Sequence, residues 1–308
     1  MQKSSRKILF FGNEKLATGI QTKASAFKGL IDSGYQIGAL IISQKLDKNS
    51  YELEVVKLAR ANNIPVKSYG DLRQSAQEIR SFGVSTAILA AYGKIVPQEI
   101  LDIFEVGIIN IHPSLLPKHR GPTPIESAIL AGDSITGVSI MRLAAQMDAG
   151  PIFVQESIEI ESTESKQQLA DRLDLLGRDM LLKNLENIMD GILKPAEQPE
   201  DLATYDKLIN KEDGYLSWQE PWEQIQRKLR AYSGWPGVRF NIGKSSATLL
   251  EADFEASSGQ PGKYIEHAGC LACYCQNGLV VINRLIPAGS KAMTGKEYVM
   301  GYGRTIFF

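Results

Sequence analysis

Short apolar runs alternate with amphipathic stretches from Lys7 to about Ile160, a pattern that is typical of βαβ units. The runs that we expect to form strands are Ile8–Phe11, Ile37–Ile42, Thr86–Ala90, Gly107–Ile111 and Gly137–Leu143. Helical spacing of apolar residues predicts helices over Leu53–Asn62 and Pro124–Ala131. The pattern therefore predicts a Rossmann-like α/β domain with a mainly parallel sheet.

The pattern changes after a long amphipathic helix, which we expect over Leu169–Met189. Gly191–Tyr205 contains two prolines and many polar residues, as an extended linker would. A helix over Trp222–Ala231 then precedes short apolar runs that are separated by glycines. The strands expected there are Gly237–Ile242, Ala247–Ala252, Gly262–Ile265, Leu271–Cys275 and Leu279–Leu285. Strands this short and this close predict a small OB-like β-barrel, so the chain should divide into a domain over 1–190, a linker over 191–208 and a C-terminal domain over 209–308.

Composition narrows the class of protein. Of the 308 residues, 44% are hydrophobic and 22% are charged, which excludes a disordered chain. No apolar run approaches the ~20 residues that a membrane-spanning helix needs, and the first apolar run is too short for a secretory signal. The net charge of −1 gives no global attraction for nucleic acid. We therefore expect a cytoplasmic protein without a membrane partner. A monomer is the default expectation, because composition does not reveal the oligomeric state.

Three cysteines are crowded into one short segment. Together with His267, the residues Cys270, Cys273 and Cys275 supply four conceivable zinc ligands. However, the alternation of a strand sends Cys270 to the face opposite Cys273 and Cys275, which makes one tetrahedral site awkward. We interpret the thiols as small buried side chains and expect no metal.

Polar side chains stand where strands are expected to end. Asn110 and His112 are two residues apart, so their side chains should point to the same face of the sheet. Asp148 follows the apolar run Gly137–Met147, which suggests another strand end. The loop Pro113–Pro124 contains four prolines and should be rigid. Taken singly, each polar residue would be structural more often than functional, but together with this loop they predict a binding site.

The turn after the first strand carries no nucleotide signature. Gly12–Gly19 matches neither the Gly-x-Gly-x-x-Gly of dinucleotide folds nor a P-loop, because no Gly-Lys-Ser/Thr closes it. The predicted fold can therefore be Rossmann-like without binding NAD or ATP at this turn.

The run Asn110-x-His112-x-Ser-Leu-Leu-Pro117, followed by Asp148-x-Gly150, resembles the hallmark of the folate-dependent formyltransferases. Members of this family move a formyl group from 10-formyltetrahydrofolate to an amine. The resemblance implies that Asn110 and His112 stabilise an oxyanion, and that Asp148 orients His112 and relays a proton. It also implies no metal, and folate contacts at Ser114, Leu115, Leu116, Pro117, Tyr92 and Ile95.

Other segments resemble the members of the family whose acceptor is the initiator methionyl-tRNA. These segments are Thr204–Leu208, Arg230–Gly237 and Pro287–Met293, whereas Lys118–Ile125 resembles the tRNA and the sugar formyltransferases alike. The resemblance implies tRNA contacts at Lys45, Lys207, Lys211 and Arg230, although scattered solvated charges are the alternative. Two departures weaken the choice of acceptor: the first turn lacks Gly-Thr-Pro-x-Phe-Ala, and Gln44–Glu54 is shorter than the family's tRNA-binding loop.

Two alternatives stay open. One is an enzyme that formylates an amino sugar on a nucleotide with the same Asn110, His112 and Asp148. The other is a catalytically silent folate- or RNA-binding protein, which the intact set of three residues disfavours, because a binder needs no oxyanion site.

Overall fold

The computed structural model describes residues 6–14, 18–243 and 245–302. The chain forms two compact units. The first comprises the described parts of Met1–Ile125, with Ser134–Glu161 and Gln167–Leu208. The second comprises Glu126–Asp133, Ser162–Lys166 and the described parts of Ile209–Phe308.

A seven-stranded sheet forms the centre of the first unit. Its strands are β1 (Lys7–Gly12), β2 (Gln36–Ile42), β3 (Val66–Ser68), β4 (Thr86–Ala90), β5 (Gly107–His112), β6 (Ile135–Arg142) and β7 (Ile152–Glu159). In the order β3-β2-β1-β4-β5-β6-β7, the first five strands pair in parallel, and β6 and β7 pair antiparallel. The predicted α/β class with a mainly parallel sheet is confirmed. The edge strands β3 and β7 were not predicted, because β3 is three residues long and β7 has no buried residue and no regular alternation of apolar and polar residues.

The helices of the chain are mostly short. They are α1 (Ser25–Asp32), α2 (Glu54–Ala61), α3 (Ala76–Ser81), α4 (Gln98–Leu101), α5 (Pro124–Ala131), α6 (Lys166–Met189), α7 (Trp222–Ala231) and α8 (Gly295–Tyr302). The predicted bounds of α5 and α7 are confirmed. The four-residue α4 carries too few apolar positions to give a helical period. Within the described ranges, no helix is long and apolar enough to cross a membrane.

Aromatic packing fixes the backbone at the carboxyl end of the parallel strands. Phe11 on β1 makes an edge contact with Tyr92, with ring centroids 5.4 Å apart, and another with Phe104 at 6.3 Å. The Asn13 Nδ2 donates to the carbonyl oxygens of Ala91 and Tyr92, at 3.2 and 2.8 Å. These contacts fix the turn after β4. Since β4 and β5 are neighbouring strands, this turn lies next to the end of β5.

An antiparallel sheet forms most of the second unit. Its strands are β8 (Val238–Ile242), β9 (Ser245–Ala256), β10 (Tyr264–His267), β11 (Cys270–Tyr274), β12 (Gly278–Pro287) and β13 (Met293–Thr294). They run in the order β10-β11-β12-β9-β8, and β13 pairs with β12. The five predicted strands are present. β9 extends beyond its predicted end because it pairs with β12 as far as Ala256. The prediction stopped at Ala252 because the residues after it are mostly exposed and two of them are acidic. Closure of this sheet into an OB-like barrel stays a prediction.

The cysteines lie on two faces of the antiparallel sheet, as their alternation predicts. Cys270 packs with Ala272 and Tyr274, whereas Cys275 packs with Ile225 and Val280. All three thiols are free, and burial raises the pKa of Cys273 far above its ordinary value. Among the residues that the structure describes, no three His, Cys, Asp or Glu side chains form a group that could hold a metal ion.

One ion pair is buried in the second unit. The Lys166 Nζ lies 3.7 Å from the Glu126 carboxylate, and the two side chains are only 4% and 2% exposed. The Lys166 Nζ also donates to the Trp235 carbonyl oxygen at 2.6 Å. Burial lowers the pKa of Lys166, although Glu126 opposes this effect. Each charge therefore depends on the other, because water does not reach either of them.

Replacing one member of this pair should cost much more than replacing both. We expect Lys166→Met to lower the free energy of unfolding by about 3 to 5 kcal/mol, because it leaves the Glu126 charge buried without its partner. The double variant Lys166→Met/Glu126→Leu should recover most of that loss. The matched control is Lys28→Met, which breaks the exposed pair with Asp32 and should cost less than about 1 kcal/mol. Urea unfolding measures all three changes, and an additive double variant would contradict the expectation.

Candidate active site at the end of strand β5

Asn110 places a carboxamide at the end of a central strand. It lies on β5 between Leu89 of β4 and Met141 of β6, and it is 5% exposed. Its side chain makes no hydrogen bond to any of the described residues. A buried amide is normally paired, so this one is left with N–H donors for a ligand.

His112 follows on the same face, as the spacing predicts, and is also 5% exposed. Its Nε2 lies 3.0 Å from the His119 carbonyl oxygen. Because a carbonyl only accepts hydrogen bonds, the Nε2 must carry a proton. The Nδ1 lies 3.6 Å from the Asp148 Oδ1, which is too long for a direct hydrogen bond. It is close enough for strong attraction when the imidazole is protonated.

Asp148 faces His112 from a loop. We expected it at a strand end, which is wrong: β6 stops at Arg142. The strand ends there because the residues that follow before Asp148 include two alanines and a glutamine, which have a low preference for strands. Asp148 has a left-handed backbone with φ +49. Its Oδ2 accepts a hydrogen bond from the Gly121 backbone N–H at 2.9 Å, which aims the Oδ1 at His112.

The segment that we expected to be a linker packs beside this loop. It is mostly extended, with a short 3-10 turn over Glu200–Leu202. The Gln198 Nε2 donates to the carbonyl oxygens of Asp148 and Gly150, at 2.8 and 2.7 Å. The Gln198 Oε1 accepts from the Arg120 Nε at 3.1 Å. Gln198 was not predicted from the sequence, because no local sequence pattern links it to a loop about 50 residues earlier.

Arg120 is fully buried next to this loop. Its Nη1 donates to both Glu200 carboxylate oxygens, at 3.0 and 2.8 Å, and to the Tyr205 hydroxyl at 2.6 Å. Burial alone would lower the pKa of Arg120, but the bonds to Glu200 and Tyr205 outweigh it and raise the pKa. The guanidinium is therefore permanently charged and fixed.

The predicted folate residues fall into two groups. Ser114, Leu116 and Tyr92 are buried, whereas Leu115 and Pro117 are half-buried and Ile95 is 75% exposed. The Ser114 hydroxyl donates to the Lys118 carbonyl at 2.7 Å, so it holds the loop together. Burial raises the pKa of Tyr92 to about 12, so its phenol stays neutral. Tyr92 packs in the hydrophobic core of the first unit. Direct folate contact by these six residues stays a prediction.

The four predicted tRNA residues differ in exposure. Lys45 and Lys207 of the first unit and Lys211 of the second unit are exposed. Arg230 is half-buried in the second unit, and its Nη1 lies 3.5 Å from the Glu164 carbonyl oxygen. Burial lowers the pKa of Arg230. The lysines are thus open to a polyanion, and Arg230 is much less so.

A pocket opens beside the opposite face of the β5 end, within the first unit. It is lined by Phe10, Asn13, Ile20, Thr22, Ala24, Ala26, Ala90, Ala91, Ile111, Pro113, Ile125, Ala170, Leu173 and Asp174. The Asn13 amide is already bonded to Ser43 and to the turn after β4. The Asp174 Oδ2 accepts from the backbone N–H groups of Lys23 and Ser25. The pocket is therefore apolar in effect.

Comparison with known proteins gives a consistent result. A model described as formyl transferase matches residues 27–185, and a model described as formyl transferase, C-terminal domain, matches residues 208–303. A methionyl-tRNA formyltransferase of Pelobacter propionicus is 31% identical over 305 residues, covering 97% of this chain and 94% of that protein. One of Halorhodospira halophila is 34% identical and covers 74% of each chain.

Solved structures share the fold at low identity. WlaRD, a sugar 3N-formyl transferase solved in the presence of dTDP and 5-N-formyl-THF, superposes with a TM-score of 0.68 at 19% identity, covering 94% of this chain and all of that one. HypX from Aquifex aeolicus in complex with tetrahydrofolic acid has a TM-score of 0.67 at 18% identity, covering 97% of this chain and 47% of that chain. At these identities the likeness extends to the fold alone.

The Gly121 backbone is expected to tolerate no side chain. Its φ is +127, and a Cβ there would lie 2.9 Å from the Asp206 carbonyl oxygen. We expect Gly121→Ala to lower the free energy of unfolding by about 1 to 3 kcal/mol more than Gly34→Ala does. Gly34 has φ +82 with nothing within 4 Å of a Cβ, so it isolates the backbone cost. Chemical unfolding of both variants decides this, and equal losses would contradict the clash.

Proposed function

We propose the following function for this chain, which belongs to the formyl transferase family. It transfers the formyl group of 10-formyltetrahydrofolate to the amino group of methionyl initiator tRNA. The observation that carries the proposal is the buried Asn110 carboxamide, which lacks a partner among the described residues, beside the His112–Asp148 pair. The relatives named methionyl-tRNA formyltransferase support the acceptor.

The reaction requires one bond to form and one to break. The neutral amine of the methionyl group attacks the formyl carbon, and the carbonyl electrons move to the oxygen. When this tetrahedral intermediate collapses, the bond from the carbon to N10 of tetrahydrofolate breaks. The proton lost by the attacking amine replaces the formyl group on N10, so that atoms and charge balance.

The chain supplies stabilisation of the oxyanion and transfer of the proton. The Asn110 N–H groups donate to the oxyanion, and they project from a backbone that is fixed before the reaction, because β5 is paired on both sides. A protonated His112 adds positive charge beside it. Asp148 orients His112 and accepts the proton of the attacking amine, since its Oδ1 lies 3.6 Å from the His112 Nδ1 and makes no hydrogen bond to a described residue.

The predicted folate residues offer one surface that is open to a ligand. Leu115 and Pro117 are half-buried, and Ile95 is exposed. We therefore assign the half-exposed edge of the Ser114–Pro117 loop, with Ile95, to the folate.

The rest of the acceptor would lie against exposed bases. We assign tRNA contacts to Lys45, Lys207 and Lys211, with Arg230 as a weaker contact because it is half-buried. The C-terminal unit would bind tRNA by this assignment. We place the reaction in the cytoplasm, where initiator tRNA is charged, and propose a monomer, since Asn110, His112 and Asp148 all belong to the first unit.

The choice of acceptor is tested by presenting three amines to the same preparation. We expect transfer from 10-formyltetrahydrofolate to methionyl-tRNA, with at most a trace of transfer to a TDP- or UDP-linked amino sugar and to glycinamide ribonucleotide. Formylated product is counted with a labelled donor. Preferential formylation of the amino sugar would overturn the proposal in favour of the sugar-nucleotide alternative.

Loss of the Asn110 amide should slow the chemical step. We expect Asn110→Ala to reduce kcat by about 10²- to 10³-fold while KM for methionyl-tRNA changes little, because the donor acts on the oxyanion of the transition state. The matched control is Asn62→Ala on the exposed end of α2, whose amide bonds only to the Leu58 carbonyl. Asn110→Ala with a kcat near that of the control would contradict the assignment.

A further inference from the structure

We propose that Gln198 is a positioning residue for Asp148, an inference that rests on the proposed function. No catalytic role for Gln198 follows from the motif, because it lies 50 residues after Asp148 in the segment that was expected to be a linker. Its carboxamide nevertheless makes three hydrogen bonds: the nitrogen donates to two carbonyl groups of the Asp148 loop, and the oxygen accepts from Arg120. Those bonds fix the loop in the conformation that aims the Asp148 carboxylate at His112.

The Asp148 loop has a backbone conformation that needs support from its surroundings. Asp148 has φ +49, a region that costs a residue with a side chain about 1 kcal/mol or more unless its surroundings hold it. Gly150 follows two residues later, and a Cβ there would lie 1.9 Å from the Arg142 carbonyl oxygen. The loop therefore folds back tightly onto the end of β6. The carbonyl groups of Asp148 and Gly150 both turn towards Gln198.

The Gln198 amide matches the two carbonyl groups of the loop. A carboxamide nitrogen has two N–H groups, and here one accepting carbonyl faces each, at 2.8 and 2.7 Å. A lysine or an arginine would bring a charge, and a hydroxyl would bring a single donor. Glutamine thus satisfies both carbonyls without adding charge beside the Asp148 carboxylate.

Arg120 fixes the orientation of the Gln198 amide. The Arg120 Nε donates to the Gln198 Oε1 at 3.1 Å, so the oxygen of the amide faces the guanidinium and the nitrogen faces the loop. Arg120 is itself held by Glu200 and Tyr205 through Nη1, and its backbone N–H donates to the Thr204 carbonyl at 2.9 Å. The amide therefore has one allowed orientation. Gln198 transmits that rigidity to Asp148.

An isosteric change separates the two ends of this side chain. Gln198→Glu retains an oxygen for Arg120, but it puts a second oxygen against two carbonyls that can only accept. If Gln198 acts through Asp148, this variant should lose about 10- to 100-fold in kcat, since small displacements of a catalytic group have effects of this size. KM for methionyl-tRNA should stay unchanged. If Gln198 serves only as a partner of Arg120, Gln198→Glu should keep its activity.

The decisive measurement is a double-variant cycle with Asp148→Asn. We expect Gln198→Glu to slow the wild-type protein but to change the Asp148→Asn variant by less than about 2-fold, because the effect passes through the Asp148 carboxylate. Gln77→Glu on the exposed face of α3 is the matched control, since it makes the same exchange without a bond to the loop. Equal slowing in both backgrounds, or none in either, would overturn the proposal.

A second readout is independent of activity. The His112 imidazole signals in a nitrogen-15 NMR spectrum should shift in Gln198→Glu and stay in place in Gln77→Glu. If the wild-type chain fails to formylate methionyl-tRNA, the proposed function is wrong, and these signals still decide whether Gln198 positions Asp148. Unchanged His112 signals in Gln198→Glu would reject the positioning role even in an active enzyme.

Discussion

The site depends on how the Asp148 carboxylate is held. One oxygen accepts the Gly121 N–H at 2.9 Å, and the other faces the His112 Nδ1 at 3.6 Å. The opposite nitrogen of His112 donates to the His119 carbonyl at 3.0 Å. The imidazole is therefore fixed from both sides by the loop between β5 and α5 and by the loop between β6 and β7. Asn110 then lies on the same face with its amide unused by the described residues, which leaves N–H donors that a reacting carbonyl could meet.

The positioning groups come from distant parts of the chain. Gly121, Gln198 and Arg120 all support the Asp148 loop, and Gln198 is separated from Asp148 by 50 positions and from Arg120 by 78. Their bonds are short and mostly shielded from water, so each is worth more than an exposed bond of the same length. The catalytic groups are thereby oriented before a substrate binds, which is the condition for electrostatic stabilisation of a transition state.

Much of this arrangement could be predicted from the sequence, but not all of it. The period of two in β5 was enough to place Asn110 and His112 on one face, and short apolar runs were enough to place five strands of the first sheet. The β7 strand could not be found, because its apolar residues do not alternate regularly with polar ones and none of its residues is buried. Gln198 could not be found either: the composition of its segment is that of a linker, and the hydrogen bonds that give it a role join residues far apart in sequence. Local pattern carries no information about such contacts.

The tautomer of His112 is the decisive observable for this site. The chain has three histidines, His112, His119 and His267, so nitrogen-15 NMR with His119 and His267 variants assigns each imidazole. We predict a proton on Nε2 of His112 throughout the folded state, because that nitrogen faces the His119 carbonyl. We also predict that Asp148→Asn changes the signal of Nδ1. A neutral His112 with its proton on Nδ1 and a bare Nε2 in the folded protein would contradict the predicted tautomer.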